Sequence, residues 1–160
     1  MSDNAQNALK IFEASIGESD GYSESIKIEQ DRINAFADAT LDHQFIHIDP
    51  EKCAEFSPYK TTIAHGYLTM SLVPYFSSSI KPKDPAAFEG LVAGINYGME
   101  KMRFPSPVPV NSVLRAKRET LKAELKAPNV IQLTQRMTIE IEGQEKPACV
   151  AEVLMRFIYS

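Results

Sequence analysis

The stretch that most restricts the fold is TTIAHGYLTMSLVPYF, residues 61–76. Beyond Gly66, the side chains of Tyr67, Leu68, Met70, Leu72, Val73, Tyr75 and Phe76 cover almost every face of a helix. A helix at the surface keeps a polar side, so one that is apolar nearly all round belongs inside something that wraps it. The second half of the chain offers the wrapping. Ile131, Leu133, Met137, Ile139 and Ile141 alternate with Gln132, Thr134, Arg136, Thr138 and Glu140, the pattern of a long strand with one wet face. After a turn around Gly143–Pro147, the residues Cys149, Ala151, Val153, Met155 and Phe157 repeat that alternation, and the two strands read as a hairpin. Leu91–Phe104 and Ser112–Leu125 are two further strands joined by the Pro-rich turn Pro105–Pro109, although Leu114, Ala116 and Leu121 do not hold one face of the second.

The first half is mixed. Ala8, Leu9, Ile11 and Phe12 recur at helical spacing and Gly17 ends that tendency, giving a helical extension over residues 1–16. Tyr22, Ile26 and Ile28 alternate with polar residues as one half-buried strand, and Asp31–Ala39 is a short amphipathic helix. Asp49–Pro50 pairs a capping carboxylate with proline at the first helical position, which predicts a short helix running to Phe56. One buried helix followed by a run of antiparallel strands is an α+β domain, and 160 residues suit a single one.

Several function classes are excluded by composition. The net charge of −4 carries no basic footprint for nucleic acid. Apolar runs are broken within a few residues, far short of the ~20 needed to span a membrane. MSDNAQNALKIFEASIGESD lacks a basic region followed by an apolar one, so no secretory signal is expected. Cys53 and Cys149 stand far apart without metal-type spacing, which predicts buried thiols in a reducing cytoplasm.

Chemistry concentrates in ATLDHQFIHIDP and the I-A-H-G turn that follows it. Asp42 and His47, an acid and an imidazole on one irregular loop, can meet over a single water molecule and exchange protons with it near neutral pH. Gly66 at the head of the apolar helix offers a backbone N–H to a carbonyl gathering negative charge. Each residue also has a plainer reading. Asp42 serves equally as a turn or cap residue, His47 between Ile46 and Ile48 as a core histidine, and Gly66 as a tight turn. His43 and His47 with Asp49 behind them superficially resemble metal ligands, but no further ligand cluster supports them.

The stretch ADATLDHQFIHIDPEKCAEFSPYKTTIAHGYLTMSLV resembles the hydratase motif of MaoC-like, (R)-specific enoyl-CoA hydratases and dehydratases, in which a D-x4-H element, a short helix and an I-A-H-G turn mark the active site. LDHQFIHIDP together with INYGMEKMRFPSPVPVNSVLRA is most similar to the branch named after nodulation protein N, and the resemblance runs from about Gly17 to the C-terminus. It implies a hot dog fold, a long central helix wrapped by a curved antiparallel sheet. By position it makes Asp42 and His47 the catalytic pair and Gly66 the oxyanion donor; His65 is expected beside the substrate, and Asn96 and Tyr97, on the strand expected in INYGMEKMRF, serve either to line the acyl pocket or as ordinary strand surface and core. It further implies a homodimer joined at sheet edges and a substrate that is a thioester of coenzyme A or acyl carrier protein, with no metal or redox cofactor. The expected reaction is reversible hydration of a trans-2-enoyl thioester to the (R)-3-hydroxyacyl thioester. The alternatives are a hot dog thioesterase and a non-catalytic acyl-thioester-binding module. Two places depart from the family pattern. Leu41 and Gln44 stand where many relatives have Gly and Asn, and Val73–Pro74–Tyr75 occupies the region where some carry a serine.

Overall fold

The computed structural model describes residues 3–160. Period-two patterning produces the long strands β5 (Val130–Ile141) and β6 (Cys149–Tyr159), and β4 (Val113–Ala127), expected with a less regular pattern, lies beside β5. β3 (Leu91–Arg103) pairs with β6, and two short strands, β1 (Ser19–Tyr22) and β2 (Ile26–Lys27), both lie on β4. All pairings are antiparallel and the order is β1-β4-β5-β6-β3. The helices are α1 (Asp3–Ala14), α2 (Gln30–Thr40), α3 (Phe45–Ile48), α4 (Pro50–Phe56), α5 (Gly66–Ser71) and α6 (Val73–Ser79), with a 3₁₀ turn at Pro85–Phe88.

Leu68, Leu72, Val73 and Phe76 of the 66–79 helical segment pack on Leu114, Met137, Ile139, Ala151 and Val153 from the inner face of the sheet. The architecture is the expected α+β hot dog arrangement, a helix laid along a sheet. The helix is interrupted for one residue at Leu72 (φ −82°, ψ −4°), because Pro74 has no amide hydrogen to continue the ladder. Its wrapping is also one-sided, since Tyr67 and Tyr75 face outward.

Three departures have local causes. The single strand expected at Tyr22–Ile28 is divided, because Ser23 bonds Ala116 through both its amide and its hydroxyl, and the Glu24 amide goes to Ser79 Oγ. The inner face of β4 changes parity at a bulge where the register slips between Thr120 and Lys122: Leu114 and Ala116 face the core before it and Ala123 and Leu125 after it, while Leu121 falls on the outer side. Third, α1 is an integral cover: Ala5, Ala8 and Phe12 pack on Ile131, Leu133 and Tyr159 in a second apolar cluster. Among the described residues no helix is long and apolar enough to cross a membrane.

Candidate active site

The site is assembled where α2 ends. Leu41 closes α2 in the left-handed region at φ 63°, and this turn delivers Asp42. The Asp42 carboxylate faces the start of α3, where the Gln44 amide lies 3.5 Å from its Oδ1. His47 sits in the single turn of α3 rather than on an irregular loop. Its Nδ1 lies 2.7 Å from the carbonyl oxygen of Ile63. A carbonyl only accepts, so Nδ1 carries a hydrogen, and in the neutral ring Nε2 keeps the lone pair. Burial lowers the His47 pKa below its ordinary value and so favours the neutral ring; the neighbouring His65 acts in the same direction, while the Ile63 bond and Asp42 act against it.

Why Ile63 O is so well placed follows from the chain on either side of it. The Ile63 amide bonds Ile46 O, the Ala64 amide bonds Val108 O and the Val110 amide bonds Thr62 O, so residues 62–64 run as a fixed ribbon between α3 and residues 108–110. Gln30 completes the frame. Its Nε2 donates to the His47 carbonyl at 2.7 Å and its Oε1 accepts from Thr62 Oγ1 at 2.5 Å. Neither Gln30 nor Thr62 is marked by any spacing in the sequence, because each acts through a partner distant along the chain.

His65, expected beside the substrate, is 3% exposed. Its ring stacks on His47 with centroids 3.7 Å apart, and its Nε2 donates to the Asp42 carbonyl at 2.9 Å. His65 therefore links the Asp42 backbone to the His47 ring. A carboxylate oxygen of Asp42 and one ring nitrogen from each of His47 and His65 lie within 4.8 Å of one another. The two rings are stacked 3.7 Å apart and inclined by only 22°, so their in-plane lone pairs lie in two separate, nearly parallel planes and do not converge on one ion. Of the grouping that superficially resembled metal ligands, His43 pairs with Asp38 at 2.8 Å and Asp49 caps α4 through the Lys52 amide.

Gly66 opens α5, and its N–H makes no hydrogen bond among the described residues. A cavity of about 380 Å³ lies beside it, lined by His47, Ile63, Gly66, Thr69, Phe104 and Val108 among others. The hydroxyl of Thr69 is buried and unpartnered. A Cβ at Gly66 would stand 2.9 Å from the Phe104 ring, so glycine is also required by packing. Asn96 and Tyr97 lie elsewhere, on β3 in a separate cavity of about 440 Å³ with Met70, Val73, Met99 and Met155. Tyr97 carries the Arg156 guanidinium 3.4 Å above its ring.

A family model described as a MaoC like domain matches residues 11–140. The chain is 43% identical over 145 residues to 3-hydroxyacyl-thioester dehydratase Z of Mycobacterium tuberculosis, covering 91% of this chain and 92% of that protein. It is 40% identical over 136 residues to nodulation protein N of Rhizobium leguminosarum bv. viciae, covering 85% and 82%. Among solved structures, the MaoC-like dehydratase from Rhodospirillum rubrum superposes with a TM-score of 0.70 at 18% identity, over 91% of this chain and 93% of that one.

Proposed function

The chain belongs to the MaoC-like dehydratase family, and from that membership we propose how its residues carry out the reaction. It is a hydratase/dehydratase that adds water reversibly to trans-2-enoyl thioesters and forms (R)-3-hydroxyacyl thioesters. The thioester carbonyl polarises the alkene, so water attacks C3 while negative charge builds on the carbonyl oxygen. His47 Nε2 and the Asp42 carboxylate hold that water, take its proton and supply one to C2. The Gly66 N–H meets the charge on the oxygen. His65 acts as a positioning residue that fixes Asp42 against His47. The observation that carries this reading is the His47 imidazole, its Nδ1 locked to Ile63 O, with a ring nitrogen within 4.8 Å of the Asp42 carboxylate, on a cavity that also borders the unpaired Gly66 N–H.

The acyl chain is assigned to the cavity bearing Met70, Val73, Met99 and Met155, with Asn96 and Tyr97 at its rim. Coenzyme A and acyl carrier protein both fit as the carrier. Four cations could meet the phosphates of coenzyme A: Lys83 and Lys101 already pair with Glu18 and Glu152, and neither Lys81 nor Arg103 has an ion-pair partner among the described residues. Cys53 and Cys149 are free and buried, which fits a reducing compartment and supports a cytoplasmic location. The working unit is a homodimer joined along β3.

Crotonyl-CoA tests the reaction directly. Loss of absorbance at the enoyl-thioester band without release of free thiol is the expected result. Free thiol would identify a thioesterase, and saturable binding with neither change would identify a binding module.

A further inference from the structure

A third cavity, of about 360 Å³, shares no lining residue with the two already described. It lies between the two apolar clusters, one under α5 and α6 and the other under α1. The inner face of the sheet, apolar on both sides, is polar here: Arg118, Thr120 and Gln135 interrupt the run from Leu114 and Ala116 on β4 and from Leu133 to Met137 on β5. Their exposures are 8%, 2% and 4%, so these are interior groups. Leucine or methionine at the same positions would fuse the two clusters into one core.

The polar groups are only partly satisfied by protein. Arg118 Nε donates to Asp20 at 2.7 Å and its Nη1 reaches Ser77 O at 3.4 Å, but Nη2 donates to nothing among the described residues. Gln135 Nε2 donates to Thr120 Oγ1 at 3.3 Å, while its Oε1 accepts nothing. Neither atom is sealed off without a partner, as His65 Nδ1 and Thr69 Oγ1 are; both residues line the cavity, so Nη2 and Oε1 stand as a reachable donor and a reachable acceptor on its wall. The opposite wall is apolar, with Phe12, Phe88 and Phe157 in mutual ring contact at centroid distances of 5.8–5.9 Å. Charge is balanced within the wall, because Asp20 neutralises Arg118 and Glu18 neutralises Lys83. The volume lies within the range of about 300–1,000 Å³ typical of small-molecule sites.

We propose that this cavity is a second ligand site, which takes an uncharged amphiphile: an apolar body against the three phenyl rings and a head that combines a carbonyl acceptor with an N–H or O–H donor. A primary amide matches both unused groups, its oxygen to Arg118 and its N–H to Gln135. The site rests on the fold and the seam alone, not on the hydration chemistry, so binding and turnover fail separately.

The probe is octanamide, titrated into the ¹⁵N-labelled full chain and followed by the backbone amide resonances. Saturable shifts confined to α1, Thr120 and Gln135 are expected. Gln135→Leu should weaken binding by about tenfold through loss of one buried hydrogen bond. Ala14→Trp, at an exposed position on the cavity wall, should abolish binding while crotonyl-CoA hydration stays unchanged. Three results would overturn the proposal: no saturable shift, meaning a cavity that holds only water; shifts confined to residues 64–69 of the catalytic cavity; or octanoate binding more tightly than octanamide, which contradicts an uncharged head.

Discussion

Leu41 occupies a left-handed turn at φ 63° with its side chain 81% exposed, so it bears backbone strain with little packing in return. Such a conformation costs an L-residue roughly 1–2 kcal/mol, and glycine avoids it while losing about 0.5–1 kcal/mol in chain entropy. The glycine of many relatives at this place suits a left-handed turn of this kind, which leucine adopts here at φ 63°. Leu41→Gly should raise the melting temperature by about 2 °C without altering turnover; a fall in the melting temperature would show that the strain is absent. The proposed acid–base roles of Asp42 and His47 are tested by Asp42→Asn and His47→Gln. Each should lower hydration by on the order of 10²-fold or more, with the double variant scarcely slower than either single one, because the two act as a unit. His47 also sets a pH dependence. Its folded pKa lies below the ordinary 6.5, so as pH falls through and below 6.5 the unfolded chain takes up the proton first. Stability contributed by the neutral ring is thus complete above 6.5 and is lost as pH drops toward the folded value. Thermal melts should show an acid-side loss that His47→Gln removes, and kcat/KM should fall on a limb centred below 6.5. A limb centred above 6.5 would contradict a buried neutral base.

The head of α5 is where sequence reasoning and packing part company. From the sequence, proline at position 66 looks tolerable, because a first-turn amide has no intrahelical acceptor and the ring supplies a helical φ. The backbone agrees, since His65 before it is extended at φ −61°, ψ 138°, as a residue preceding proline must be. The obstacle is the Phe104 ring, 2.9 Å from any Cβ at this site, so Gly66→Pro alone would confound chemistry with a clash. The comparison is therefore made in a Phe104→Ala background. Adding Gly66→Ala, which keeps the N–H, should leave turnover near that of the background. Adding Gly66→Pro, which deletes it, should cost roughly 10²–10³-fold. Equal turnover in the two would show that the Gly66 N–H does not meet the thioester oxygen. The same contrast explains what was legible beforehand. Strands β5 and β6, helices α2 and α4 and the nearness of Asp42 to His47 follow from periodicity, capping and a local motif, all properties of neighbouring residues. Phe104 against Gly66, Gln30 on the His47 carbonyl and Ser23 in place of a strand ladder are contacts across the chain, which no local pattern encodes.

At the scale of the whole molecule the sheet is unevenly finished. One end carries the short strands β1 and β2, but the other ends in β3, which pairs with β6 on one side and leaves a long row of backbone groups without a ladder on the other. Val92, Ile95, Tyr97 and Met99 are exposed along β3, and Tyr67 and Tyr75 are bare on the outer side of the helical segment. A long edge strand with exposed apolar side chains is an invitation to pair, and a two-fold axis beside it would join β3 to its own copy and cover the apolar side chains along it. Sedimentation velocity at micromolar concentration should therefore give close to twice the chain mass of 17.8 kDa. Ile95→Lys combined with Met99→Lys places two cations at the centre of that edge, facing their own copies across the axis, where repulsion and desolvation both oppose association. This variant should sediment at the chain mass, with α1, the helical segment and the β4–β6 core intact by circular dichroism. Dimerisation of the double-lysine variant would move the interface away from β3, and a wild-type chain that is monomeric at full turnover would show that the edge is left open and the catalytic cavity is complete within one chain.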